Sequence, residues 1–205
     1  MVSHTLIYSV VFLCGWVLMA MEMLGGRMLA PVFGSGIEVW GSIISVFLLS
    51  LSLGYVLGGI LSQKKTSIHV MMGIVAAAGM LIAILPFYYN DLAIRLWYLG
   101  PRFGPLVSSI LLFFPQSVLL GMVSPYAIHL RTTSIESVGA NSGSLYAVST
   151  IGSFLGCIVT AFYLIALMGI SKILFASGGL LIMVAVTGAV ASQLASKQSK
   201  MEKCL

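Results

Sequence analysis

An all-α protein of six membrane-spanning helices is the fold class this chain predicts, and three observations predict it. Only 7% of its 205 residues are charged and 60% are hydrophobic, against about 25% charged in a water-soluble domain. Apolar runs of roughly 20 residues recur, each long enough to cross about 30 Å of hydrocarbon at about 1.5 Å per residue. Strand-type alternation is absent, which excludes a transmembrane barrel.

The first span runs from about Thr5 to Leu24. No Lys or Arg precedes it and its apolar run exceeds the roughly 7–15 residues of a cleaved signal, so it is expected as a retained helix. The second runs from about Val39 to Leu61, followed by the turn SQKKTS, and the third from about Ile68 to Phe87. A more polar, aromatic stretch comes next. In it Asp91 and Arg95 are four apart on a short interfacial helix, a spacing that lets them pair, and Trp97 and Tyr98 suit the headgroup level. The fourth span covers about Leu106 to Leu130 and carries Pro115 and Pro125. The fifth covers about Ser142 to Leu167 and the sixth about Ile173 to Leu194. Residues 1–195 thus form one membrane domain, with a basic polar tail at 196–205.

Charge sets the expected topology. The chain has 10 Lys and Arg against 5 Asp and Glu, a net charge of +5. Six spans place both termini on one side with Lys64, Lys65, Arg131, Lys197, Lys200 and Lys203. Arg27, Arg95, Arg102 and Lys172 lie opposite. The positive-inside bias then puts both termini in the cytoplasm of a multi-pass protein of the inner (plasma) membrane. No basic run with interleaved aromatics exists, so nucleic acid is not an expected partner; the bilayer is. Cys14, Cys157 and Cys204 have no CxxC spacing and His4, His69 and His129 are scattered, so neither a metal site nor a cofactor is implied. The terminal KCL is not a prenylation box.

An internal repeat is suggested. A shift of about a hundred residues lays GSIISVFLLSLSLG, from Gly41, on GSLYAVSTIGSFLG, from Gly143. Two copies of three spans must be inverted, because three is odd, and inverted repeats are frequent in secondary transporters. The alternative is that glycine-rich membrane helices simply resemble one another. Gly54 and Gly58, with Gly59 adjacent, and Gly152 and Gly156 form GxxxG pairs that suit close helix packing. GSGIEV imitates a dinucleotide fingerprint but follows no strand.

The polar residues within the spans are the candidate site. Glu22 and Arg27 are five apart, about 500° around a helix, hence roughly 140° from one another. They can pair only if the helix breaks at Gly25-Gly26, where free backbone groups would also line a site. The competing reading has Arg27 snorkelling to the interface, with Glu22 facing water. Trp40 closes this stretch. In the fourth span Gln116, Ser124 and Pro125 supply polar groups and a kink, with His129 a turn beyond. In the fifth, Tyr146, Ser149, Thr150 and Ser153 occupy i, i+3, i+4 and i+7, one helical face. That face either lines a polar cavity or bonds across helices. Ser50 and Ser52 are weaker candidates.

The succession ExxxxRxLAPxxGSGxxVWG (Glu22 to Gly41), SLGYVLGG (Ser52 to Gly59), GMVSPYAIHL (Gly121 to Leu130) and GxxSGSLYAVSTIGSFLG (Gly139 to Gly156) resembles the membrane domain of spermidine-synthase-like integral membrane proteins, often described as fused transporter/spermidine synthases. The resemblance picks out Glu22, Arg27, Pro31, Gly34, Trp40, Gly54, Tyr55, Gly59, Ser124, Pro125, Tyr146, Ser149, Thr150 and Gly152, and implies a cytoplasmic C-terminus. GYVLGGILSQKK looks like a degenerate form of the loop after the second helix of major-facilitator transporters, without its Asp, which implies a fold like half of such a transporter. Many relatives continue into a soluble aminopropyltransferase-like domain. This sequence carries no strand–Gly-loop–helix unit or acidic diad for that chemistry, so spermidine synthesis is not expected of it.

Three functions follow as expectations. The first is a carrier or permease-like module for a small polar or cationic metabolite, a polyamine or adenosylmethionine-type solute. The second is a membrane scaffold that docks a cytosolic aminopropyltransferase-like partner or assembles with other membrane proteins, a homo-oligomer being a further expected assembly. The third is a membrane enzyme using Glu22 or His129 as acid or base, for which no nucleophile–base–orienter set exists at suitable spacing.

Overall fold

The computed structural model describes residues 4–132 and 138–202, with side chains to residue 194. Long helices account for nearly all of it: α1 (His4–Phe33), α2 (Ile37–Lys64), α3 (Ile68–Ile84), the short α4 (Tyr89–Arg95), α5 (Gly100–Arg131), α6 (Val138–Val159), the three-residue α7 (Ile165–Leu167) and α8 (Ile170–Glu202). A π-helical turn at Thr160–Leu164 joins α6 to α7. Among the described residues, six segments are long and apolar enough to cross a membrane. The molecule is a multi-pass membrane protein.

Several ends differ from the sequence expectation, each for a local reason. The first span does not stop at Leu24: α1 runs unbroken to Phe33, with Pro31 in its last turn. Its end is set by Gly34, whose φ of +81° an L side chain rarely adopts. Lys203 and Cys204 lie outside the described residues, while the stretch expected as a tail is helical as far as Glu202. Pro105, Pro115 and Pro125 all lie within α5, which continues through them.

Helix pairing follows the glycines. Gly54 and Gly58 of α2 face the carbonyls of Val118 and Met122 of α5 so closely that neither has room for a Cβ. Gly152 and Gly156 of α6 meet the carbonyls of Phe12 and Trp16 of α1 in the same way, and Gly15 of α1 meets that of Ser149. Both seams run in the same sense along their two helices. Between α3 and α8 the contact is reciprocal and antiparallel. A Cβ at Gly79 would lie 2.9 Å from the Gly178 carbonyl oxygen, and one at Gly178 would lie 2.7 Å from that of Gly79. Backbone approach of this kind replaces the missing hydrophobic drive between helices in lipid. Gly59 is a correction: it has nothing within 4 Å and belongs to no seam.

One of these contacts has a counterpart in the other half of the chain. Gly54 on Val118 becomes Gly156 on Trp16 under one displacement of 102 positions (156 − 54 and 118 − 16). That is also the displacement of the Gly41–Gly143 alignment. The relation exchanges α1 with α5 and α2 with α6, so the α2–α5 seam maps onto α6–α1, while the α3–α8 seam maps onto itself. The two halves thus share one matched glycine–carbonyl contact and one pattern of helix pairing.

The core is apolar and tightly filled. Phe47 and Phe113 pack at 5.7 Å between ring centroids, beside Leu24, Met28 and Ile43, all essentially inaccessible. Tyr126 is also fully buried and fastens the α2–α3 turn. Its hydroxyl donates to the Lys65 carbonyl and accepts from the Ser67 N–H at 3.1 Å. Near the start of α1, the Arg131 guanidinium lies 4.4 Å from the Tyr8 ring centroid, and the Tyr8 hydroxyl is 2.9 Å from that of Ser144.

Candidate functional site

α1, α2, α5 and α6 enclose a cleft of about 120 Å³. Its walls are Cys14, Gly15, Leu18 and Met19 from α1, Leu51 and Tyr55 from α2, Leu120, Gly121 and Ser124 from α5, and Tyr146, Ser149, Thr150 and Ser153 from α6. It lies near the middle of α1. The α6 stripe borders the cleft because Gly152 and Gly156, on the adjoining face, clamp that helix to α1. The wall obeys the repeat: Leu18 corresponds to Leu120, Met19 to Gly121 and Leu51 to Ser153 at the same displacement. The cleft therefore sits between the two halves of the chain.

Its chemistry is hydroxylic. The Thr150 hydroxyl donates to the Tyr146 carbonyl at 2.8 Å, which leaves its oxygen lone pairs to the cleft. Tyr55 and Tyr146 are each a little under half exposed and form the open side. The wall carries neither a carboxylate nor an ammonium. It can offer hydrogen bonds to a polar solute but no fixed charge.

A second cleft of about 450 Å³ opens toward the far ends of α1 and α6, lined by Met23, Gly26, Arg27, Ala30, Ser35, Trp40, Ala161 and Ile165. Gly15, Met19, Met23 and Arg27 are four apart on α1, so one stripe of that helix serves both clefts. Met19 and Met23 separate them over about 6 Å of helix.

The sequence candidates thus divide. Ser124, Tyr146, Ser149 and Thr150 come together in the central cleft, and Arg27 and Trp40 in the second. Glu22 is half-buried and lines neither cleft. The break at Gly25-Gly26 that would let it meet Arg27 does not exist. Those glycines instead make room for rings: a Cβ at Gly25 would lie 3.2 Å from Phe113, and one at Gly26 2.7 Å from Trp40. Gln116 is buried, its amide donating to the Leu112 carbonyl within its own helix. His129 lies in the last turn of α5, exposed, 3.2 Å from the Thr66 hydroxyl. Cys14, Gly15 and Leu51 were not among the candidates. The repeat alignment, which sets Leu51 against Ser153, was the one signal for any of them. No group of three or more metal-ligating side chains occurs among the described residues.

No family model, curated protein or solved structure matches the chain.

Proposed function

We propose that the protein is a carrier for a compact polar solute, bound in the central cleft and passed between the membrane faces by relative movement of the two inverted halves. The observation that carries this reading is the position of a hydroxyl-lined cleft between those halves, near mid-span. Carriers built from inverted repeats bind substrate at such an interface. Size and charge narrow the cargo. At about 120 Å³ the cleft is below the roughly 300–1,000 Å³ of pockets for drug-sized ligands, which favours a solute of a few heavy atoms over an adenosylmethionine-type one. A polyamine would lack a carboxylate partner there. The lysines of the α2–α3 turn place that side in the cytoplasm in this reading.

Proteoliposome flux with labelled glycerol and lactate tests it, the first probe neutral and the second anionic. Flux of at least one should exceed that of protein-free vesicles, and Ser149→Ala with Tyr146→Phe should reduce it about tenfold, with the variant still folded. Folded protein that moves neither probe, or a double variant as fast as the parent, would sink the proposal.

A further inference from the structure

The geometry points to a second ligand site: we propose that the cleft at Arg27 and Trp40 binds a carboxylate- or phosphate-bearing anion. Its volume, about 450 Å³, lies within the roughly 300–1,000 Å³ of ligand pockets. Arg27 is the only charged side chain in the wall, and no carboxylate lines it. The guanidinium is exposed, while the turn around it, Leu24 to Gly26 and Met28 to Leu29, is buried. A guanidinium presents a planar fork of donors that matches both anions.

Two neighbours add to it. The Trp40 ring is held against Gly26 and forms a flat wall beside Arg27. Ser35 contributes a hydroxyl, and α2 begins two residues later with no side-chain cap on its first N–H groups. These groups and the helix dipole favour negative charge. Glu38, on that first turn, is not part of the wall, but its carboxylate lies 2.9 Å from where a Cβ on Gly36 would stand. A negative group already sits at that helix end, so Arg27 carries the site. Because the α1 stripe continues from Arg27 to the central cleft, a free anion held here stands at the mouth of the path. That last step rests on the carrier reading; the site itself does not.

The same chemistry is offered by a dissolved organic anion and by a phospholipid headgroup, and tryptophan fluorescence separates them. The full-length protein in phosphatidylcholine nanodiscs is titrated with lactate and with inorganic phosphate, and compared with protein in nanodiscs containing phosphatidylglycerol. A saturable change is expected that Trp40→Phe abolishes, Arg27→Lys largely keeps, and Arg27→Gln weakens at least tenfold. Saturation by the dissolved probes in phosphatidylcholine identifies a soluble anion. A change seen only with phosphatidylglycerol identifies a headgroup. No saturable change under either condition, or an unaltered response in folded Arg27→Gln, overturns the site. Binding without flux would leave the site standing and sink the carrier reading alone.

Discussion

At the scale of single residues, glycine does different work at positions that look alike in sequence. Gly156 and Gly59 both sit in glycine-rich helical stretches. The first is pressed against the Trp16 carbonyl and the second faces open space. Gly156→Ala should therefore destabilise by about 1–3 kcal/mol through overpacking. Gly59→Ala should be neutral, or stabilising by up to about 1 kcal/mol from helix propensity. Thermal unfolding in detergent compares the two directly, and equal effects would contradict the α1–α6 seam. Gly25 and Gly26 teach the same lesson. Their sequence context offered a helix break; their actual partners, Phe113 and Trp40, come from other helices. Spacing along one helix could not show that.

Among the elements, α6 was the most legible. Its hydroxylated residues recur with helical period, and the structure places that stripe on the cleft. Apart from Tyr55, which the resemblance picked out, the α1 and α2 sides of the same cleft were hidden because Cys14, Leu18 and Leu51 do not differ in type from lipid-facing residues. The π-helical turn at Thr160–Leu164 was not legible either. Thr160 is fully buried with no hydrogen-bond partner for its hydroxyl, and turns of this kind often mark functional positions. The α2–α3 turn gives the clearest test at this scale. Tyr126→Phe removes the hydroxyl that joins Lys65 to Ser67 and should cost about 1 kcal/mol, lowering Tm by about 2–4 °C. An unchanged Tm would mean that the turn holds without it.

For the whole molecule, the six spans and the absence of strands among the described residues were legible from hydropathy alone, because lipid imposes both length and composition. The repeat was only half legible. The Gly41–Gly143 alignment covered one helix pair, whereas the matched carbonyl contacts of Gly54 and Gly156 extend the relation to α1 and α5. In the functional reading that symmetry is what lets a central cleft face either side.

The most direct test is therefore accessibility from both membrane faces. Thr150→Cys, in a background with Cys14, Cys157 and Cys204 changed to serine, is exposed in oriented proteoliposomes to a membrane-impermeant methanethiosulfonate, first outside and then inside. Labelling from each face, at rates at least tenfold above those of the lipid-facing control Leu48→Cys, is the predicted result. Labelling from one face only, or from neither, would contradict alternating access through the central cleft.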